Sequence, residues 1–173
     1  MTHGTAPGSR NPTTGLTTAV EDRDGAIAAT AAVIGAARQR LWIHSRELDP
    51  GLLDDPGILA ALRRFAVGGR ARQVSILLHD PAAAQRAHAP LLPLAQRLPS
   101  VFAFRAVDDP VDRAYAAAYI TSDSGAYYFR RLGHRYDGEW STADAGRARQ
   151  LAEAFKPVWE RSRPCSELRA LGL

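Results

Sequence analysis

The chain has 173 residues, of which 46% are apolar and 23% charged. This length suffices for one domain with a well-buried core and is too short for two such domains. No stretch approaches the roughly 18 consecutive apolar residues of a membrane span, and the single cysteine, Cys165, excludes an intramolecular disulfide or a multi-thiolate metal site. The basic residues are 21 arginines and Lys156, and they exceed the acidic residues to give a net charge of +4, which favours an anionic partner. No run of basic residues indicates a nucleic-acid-binding arm.

The first 22 residues are rich in Gly, Thr and Pro and contain almost no large apolar side chains. This composition predicts a flexible tail over residues 1–22 and a single α/β domain over residues 23–173. The segment also lacks the basic start and apolar centre of a signal peptide, so we expect a cytoplasmic protein.

Two helices and two strands are predicted in the first half of the domain. Apolar residues at helical spacing predict a helix over residues 24–39, and the apolar run that follows predicts a strand over residues 41–45. Asp55-Pro56 supplies an N-cap and a first-turn proline for the second helix, which Gly68-Gly69 closes. The apolar run 74–79 predicts a second strand, buried on both faces.

The second half begins with Asp80-Pro81, which repeats the start signal for a third helix that Pro90 and Pro93 interrupt. A strand over residues 101–105 follows, and then a hairpin formed by residues 114–121 and 126–131, with Asp108-Asp109-Pro110 interpreted as a turn before it. Ser141 to Asp144 resembles a capping box that starts the last helix, with a kink at Pro157. The order α-β-α-β-α-β-β-β-α predicts a three-layer α/β/α fold with a mixed sheet.

Several segments together resemble one half of the phospholipase D superfamily, over about residues 24–162. They are LWIHSRELDP, VSILLHDP, the hairpin AAAYITSDSGAYYF and a closing helix with AFKPVWERS. These segments resemble in particular a bacterial group of degenerate single phospholipase D-like modules. The resemblance implies a phospholipase D-like half as the fold. It also implies that the superfamily's motif, His-x-Lys-x4-Asp, should lie on the first strand of the hairpin.

The motif's histidine attacks phosphorus, and its lysine neutralises the phosphoryl oxygens. Aligning its aspartate with Asp123 places Ala116 and Ala118 at the positions of the histidine and the lysine. The downstream Gly-Ser-x-Asn is also missing, and Lys156, the only lysine, lies in the final helix. We therefore expect a pseudoenzyme with no catalytic residue.

Candidate ligand-binding residues stand near the predicted strand ends, where ligands of open α/β sheets commonly bind. Guanidinium groups suit phosphate or carboxylate, which makes an anion site the hypothesis for this set: Arg46, His79, Arg105, Asp123 and Arg130. The alternative is that Asp80 only caps a helix, that His79 is a loop residue and that the arginines lie together by chance. The scattered histidines predict no metal site, and no cofactor is expected.

Three functions remain open. The first is a non-catalytic binding or assembly module, expected to form a homodimer through the apolar face Ala116/Ala118/Ile120, because single-module members of the superfamily commonly pair. The second is binding of nucleic acid or a phosphate ligand by the arginines at the degenerate site. The third is a divergent phosphodiesterase that uses His44, His79 or His88.

Overall fold

An eight-stranded mixed sheet forms the centre of the molecule in the computed structural model, which describes residues 16–168. Its strands follow the order β1-β7-β6-β5-β2-β3-β4-β8. Their bounds are β1 Thr18–Val20, β2 Arg40–Ser45, β3 Gln73–Leu78, β4 Phe102–Ala106, β5 Ala118–Ser122, β6 Tyr127–Arg130, β7 Gly138–Ser141 and β8 Arg163–Pro164. Strands β2, β3 and β4 are parallel, and the remaining neighbours are antiparallel.

Helices cover both faces of this sheet. They are α1 Arg23–Ala36, α2 Pro56–Val67, α3 Pro81–Arg86, α4 Leu91–Arg97, α5 Pro110–Arg113 and α6 Ala145–Arg161, followed by a 3-10 turn, Ser166–Leu168. One core, which includes Ile43, Leu62 and Ile76, lies on the side of α1 and α2. A second, smaller core lies under α6 and includes Leu77 and Phe155. The predicted three-layer mixed α/β fold is confirmed.

Asp-Pro pairs begin three of the helices. Asp55 accepts hydrogen bonds from the amides of Gly57 and Ile58, and Asp80 accepts one from Ala83. Asp109 caps α5 in the same way, so the segment before the hairpin is a short helix and not the expected turn. The carboxylate satisfies amides that have no partner within the helix, and proline fits the first turn because it lacks an N–H.

Two boundaries differ from the sequence-based expectations. Residues Thr18–Val20, expected in the flexible tail, form an edge strand paired with β7, and Asp22 caps α1; residues 1–15 of that tail lie outside the described residues. The last helix begins at Ala145 with Asp144 as its N-cap, because Ser141 belongs to β7 and the Asp144 carboxylate accepts from the amide of Arg147.

Proline interrupts the third predicted helix, which the structure divides into α3 and α4. The hairpin is shorter at its start than predicted, since residues 114–117 are not part of a strand and β5 begins only at Ala118. Across residues 16–168, no helix combines the length and apolar character needed to cross a membrane.

Candidate functional site

The parallel strands define two edges of the sheet. Strands β2, β3 and β4 end at one of them, which we call the carboxyl edge, and β5 begins there because it is antiparallel to β2. The opposite edge, where β2 and β3 begin at Arg40 and Gln73, is the amino edge. Ala116 and Ala118 therefore lie at the carboxyl edge, together with the residues that follow β2 and β3.

Two histidines meet at the carboxyl edge. His44 on β2 pairs in register with Leu77 on β3, so that His79, two residues further along, lies on the same face of the sheet. The two Nε2 atoms are 2.8 Å apart, and the side chains are buried. The rings of Tyr115 and Tyr119 lie 5.2 Å and 5.4 Å from that of His44. The pair is thus enclosed by aromatic rings on the α6 side of the sheet.

Burial keeps both imidazoles neutral. Burial and, to a smaller extent, the neighbouring His79 lower the pKa of His44 from 6.5 to about 3, against a smaller opposite effect of Asp112. Burial also lowers the pKa of His79, with help from the guanidinium groups of Arg46 and Arg113. Between two neutral rings, one Nε2–H donates and the other Nε2 accepts. Both Nε2 atoms are therefore engaged in this bond, whichever ring donates.

A buried ion pair occupies the other face of the same edge. Arg130 Nη2 lies 2.6 Å from Asp49 Oδ2, with side-chain exposures of 4% and 8%. The Ser45 hydroxyl donates to Asp49 Oδ1 at 2.9 Å, and Arg130 Nη1 donates to the carbonyl of Gly133 at 2.9 Å. Arg130 Nε is buried without a hydrogen-bond partner among the described residues. Arg130 is therefore committed to a contact within the chain.

The turn that carries Asp49 is strained. Leu48 and Asp49 both have left-handed backbone conformations, with φ of 67° and 41°. A bulky residue such as leucine rarely adopts that region, whereas aspartate tolerates it better. Leu48 is nearly completely buried, so its packing and the Asp49–Arg130 ion pair together hold the turn in place.

The two alanines at the degenerate motif differ in exposure. Ala116 precedes β5 and is exposed, whereas Ala118 is 1% exposed and lies opposite Arg130 in the sheet. Gly133 covers this point: its amide donates to the carbonyl of Ala116, and a Cβ on it would lie 3.2 Å from that of Ala118. Ile120 is buried as well. The apolar face expected to form a homodimer is therefore largely covered within one chain.

The five predicted ligand residues do not form one site. Arg46, His79 and Arg130 meet at the carboxyl edge, but only Arg46 is exposed. Arg105 lies against α6, where its guanidinium is 4.6 Å from the ring of Trp159 and donates to the carbonyl of that residue. Asp123 lies at the amino edge, where its two oxygens accept from the backbone amides of Arg38 and Gln39. The grouping of Asp123 with the arginines of the degenerate site is wrong for this reason.

The contact between His44 and His79 is not predicted by the sequence pattern, although each histidine is a candidate by itself. Their equivalent positions at the ends of adjacent parallel strands are the available signal. His88, the third candidate histidine, lies on the exposed turn after α3 and takes no part in the pair. Among residues 16–168, no cluster of three or more His, Cys, Asp or Glu side chains could hold a metal ion.

Two solved structures are similar to this chain. TrmBL2, an archaeal chromatin protein whose structure shows a novel mode of DNA binding, has a TM-score of 0.62 and 15% identity, over 88% of this chain and 56% of that chain. Nuc from Salmonella typhimurium, a phospholipase D family member, has a TM-score of 0.62 and 13% identity, over 87% of this chain and 97% of that chain. The chain thus spans little more than half of TrmBL2 and nearly all of Nuc.

At these identities the likeness establishes the fold alone, and it confirms the phospholipase D-like architecture implied by the sequence resemblance. No match is found among curated proteins. A family model described as "Domain of unknown function (DUF7931)" matches residues 22–171. This match spans nearly the whole domain, and the chain therefore belongs to the DUF7931 family.

Proposed function

We propose that this chain is a non-catalytic phospholipase D-like module that acts by binding or assembly. The observation that carries the proposal is the way the polar groups of the carboxyl edge bond to one another. His44 bonds to His79, and Arg130 bonds to Asp49, in both cases with buried side chains. The buried part of this edge therefore offers neither a free imidazole nor a free cation among the residues that the structure describes.

Phosphoryl transfer of the superfamily type needs both of these groups. The nucleophile must reach phosphorus, and fixed cations must face the charge that develops on the phosphoryl oxygens. Methyl groups stand at the two aligned positions, Ala116 and Ala118. A lysine at position 118 would also lie beside Arg130, its partner in the strand register, with no room for its side chain beneath Gly133.

Turnover of a chromogenic phosphodiester, bis(4-nitrophenyl) phosphate, tests the proposal. We expect wild-type protein to hydrolyse it no faster than a buffer blank, with an active phospholipase D as the positive control. The informative variants are His79→Gln, which breaks the buried pair, and His88→Gln, which changes an exposed histidine. Hydrolysis by the wild type that is lost only in His79→Gln would establish a divergent phosphodiesterase built on the histidine pair instead.

Nucleic-acid binding is the second candidate function. TrmBL2, which shares the fold, binds DNA, and the present chain has a net charge of +4. Exposed arginines would contact phosphates without base chemistry, which gives binding that weakens steeply with salt. A fluorescence anisotropy titration of a labelled oligonucleotide at about 50 and 200 mM salt measures this. Binding independent of salt would contradict contact with the phosphate backbone.

Assembly into a homodimer remains part of the proposal, because the chain corresponds in length to one phospholipase D-like module such as Nuc. With Ala118 and Ile120 buried inside the chain, the contact would have to use other residues. Light scattering distinguishes the two states, since a dimer has twice the 18.7 kDa mass of the chain. A mass equal to that of one chain at micromolar concentration would remove assembly with itself from the proposal.

A further inference from the structure

Acidic residues are concentrated at the carboxyl edge. The three segments that follow β2, β3 and β4 at this edge, residues 46–55, 79–80 and 107–117, contain two arginines, Arg46 and Arg113. The same segments contain eight acidic residues: Glu47, Asp49, Asp54, Asp55, Asp80, Asp108, Asp109 and Asp112. Four of these acids form ion pairs with arginines from other segments, Arg23, Arg130, Arg161 and Arg163. Much of the charge at the degenerate site is therefore compensated within the chain.

The amino edge differs, because its arginines have few acidic neighbours. The segments that lead into β2 and β3 carry Arg38, Arg40, Arg70 and Arg72 and no acidic residue. The turn between β5 and β6 adds one acid, Asp123, whose two oxygens already accept backbone amides. None of the four arginines forms an ion pair within residues 16–168. All 18 acidic residues lie between Glu21 and Glu167, so the described part of the chain includes every acidic side chain.

The two basic segments are fixed relative to each other. Gln73 donates its amide to the carbonyl of Gln39 at 2.8 Å, which joins the segments directly. Asp123 holds the amides of Arg38 and Gln39 at 2.9 Å. These bonds leave the side chains of Arg38, Arg40 and Arg70 exposed on a backbone that is ordered before any ligand arrives. Such preorganisation lowers the entropic cost of binding.

A groove of about 300 Å³ continues this surface between α6 and the first residues of β2 and β3. Arg40 and Lys156 line it together with the half-buried Trp42, and Glu160 is the acidic residue in its wall. An indole beside two cations suits a nucleotide, which presents an apolar face and a phosphate. The groove thus places an indole ring next to the exposed cations.

We propose that the amino edge, defined by Arg38, Arg40, Arg70 and Lys156, binds the sugar–phosphate backbone of a nucleic acid. The inference rests on the proposed binding function and moves the contact to the edge opposite the degenerate motif. The phosphates of a nucleic acid match a group of exposed cations without ion-pair partners among the described residues, whereas four acids of the carboxyl edge are already paired with arginines of the chain.

Two matched triple variants test the location. Arg38→Gln/Arg40→Gln/Arg70→Gln removes three exposed charges from the amino edge, and Arg46→Gln/Arg113→Gln/Arg131→Gln removes three exposed charges from the carboxyl edge. Both lower the net charge of +4 to the same value, and exposed substitutions of this kind leave stability nearly unchanged. Anisotropy measures the affinity for fluorescein-labelled single and double strands of about 20 nucleotides between about 50 and 200 mM salt.

We expect the amino-edge triple to weaken binding about tenfold or more at about 50 mM salt. It should also reduce the slope of log affinity against log salt by up to about 0.9 for each duplex phosphate that the variant no longer neutralises. The carboxyl-edge triple should change affinity by less than about threefold.

Equal weakening by both triples, or stronger weakening by the carboxyl-edge triple, overturns the location. Absence of oligonucleotide binding by the wild type, or binding only to phosphatidylglycerol vesicles, overturns the partner. The phosphodiester assay is unaffected by these outcomes and tests the non-catalytic proposal separately.

Discussion

Replacement of Asp49 by asparagine removes one charge of the buried ion pair and keeps the shape of the side chain. Asparagine also tolerates the left-handed φ of 41° at this position, so backbone strain should not contribute to the change in the free energy of unfolding. The Arg130 guanidinium, 4% exposed, then remains charged and buried without a counter-ion. Removal of one member of a buried ion pair lowers the free energy of unfolding by about 3–5 kcal/mol. Because the amide oxygen can still accept a hydrogen bond, we expect the lower end, about 3 kcal/mol.

Urea denaturation measures this loss directly. In a thermal unfolding experiment, each kcal/mol lowers the melting temperature of a chain of this size by about 2–4 °C, so the melting temperature should fall by about 6–12 °C. The control is Asp137→Asn, because the Arg135–Asp137 pair has the same 2.6 Å separation but exposures of 60% and 54%. We expect it to lose less than about 1 kcal/mol. Adding Arg130→Met to Asp49→Asn should restore part of the stability. A loss below about 1 kcal/mol in Asp49→Asn, or strict additivity in the double variant, would refute the reasoning.

Three further predictions follow from the burial of single groups. The folded protein keeps His44 unprotonated down to about pH 3, while the unfolded chain binds a proton near pH 6.5. The free energy of unfolding should therefore fall as the pH decreases between these values, by up to about 1.4 kcal/mol per pH unit. The dependence on pH should be weaker in His44→Gln. Ala118→Lys should destabilise the protein by about 3 kcal/mol or more in urea, whereas Ala116→His, at an exposed position, should change stability by less than about 0.5 kcal/mol. Burial raises the pKa of Cys165 to about 11, so a thiol reagent at about pH 8 should label it only after denaturant is added; rapid labelling of native protein would contradict that burial.

Local signals in the sequence are sufficient for most of the fold. The pairs Asp55-Pro56 and Asp80-Pro81 act within one helical turn, and the predicted helices begin where these pairs occur. The apolar run 74–79 is long enough to identify a buried strand without knowledge of its neighbours. These features depend only on residues close in sequence.

The elements that the sequence does not predict depend on distant partners. Strand β1 has three residues and is ordered by pairing with β7, more than a hundred residues away, and β8 has two residues that pair with β4. A short edge strand has no periodicity of its own to detect. Helix α5 is different, because Asp109-Pro110 carries the same start signal as the other Asp-Pro pairs and resembles a turn only because the helix is so short.

The candidate site shows the same limit. The residue types are visible in the sequence, but their partners are not. Arg130 is a plausible ligand-binding arginine by sequence because exposed and buried arginines look alike there, and only the fold places it against Asp49. For His44 and His79, the adjacent strands must be known before their common face can be recognised. The grouping of arginines at the amino edge, unpaired within residues 16–168, likewise emerges only once the parallel register is known.

The central claim is that the buried polar groups at the carboxyl edge are bonded to one another within the chain. The protonation state of the histidine pair tests this claim most directly. Long-range ¹H–¹⁵N NMR spectra of the imidazole rings, recorded from about pH 8 to about pH 4, report the tautomer and the titration of each histidine. We expect His44 to remain neutral and hydrogen-bonded across this range, and burial should lower the pKa of His79 below the usual 6.5 of a histidine. Titration of His44 near pH 6.5 as an independent imidazole would contradict the account, because it would leave a free base at the edge where the superfamily performs its chemistry.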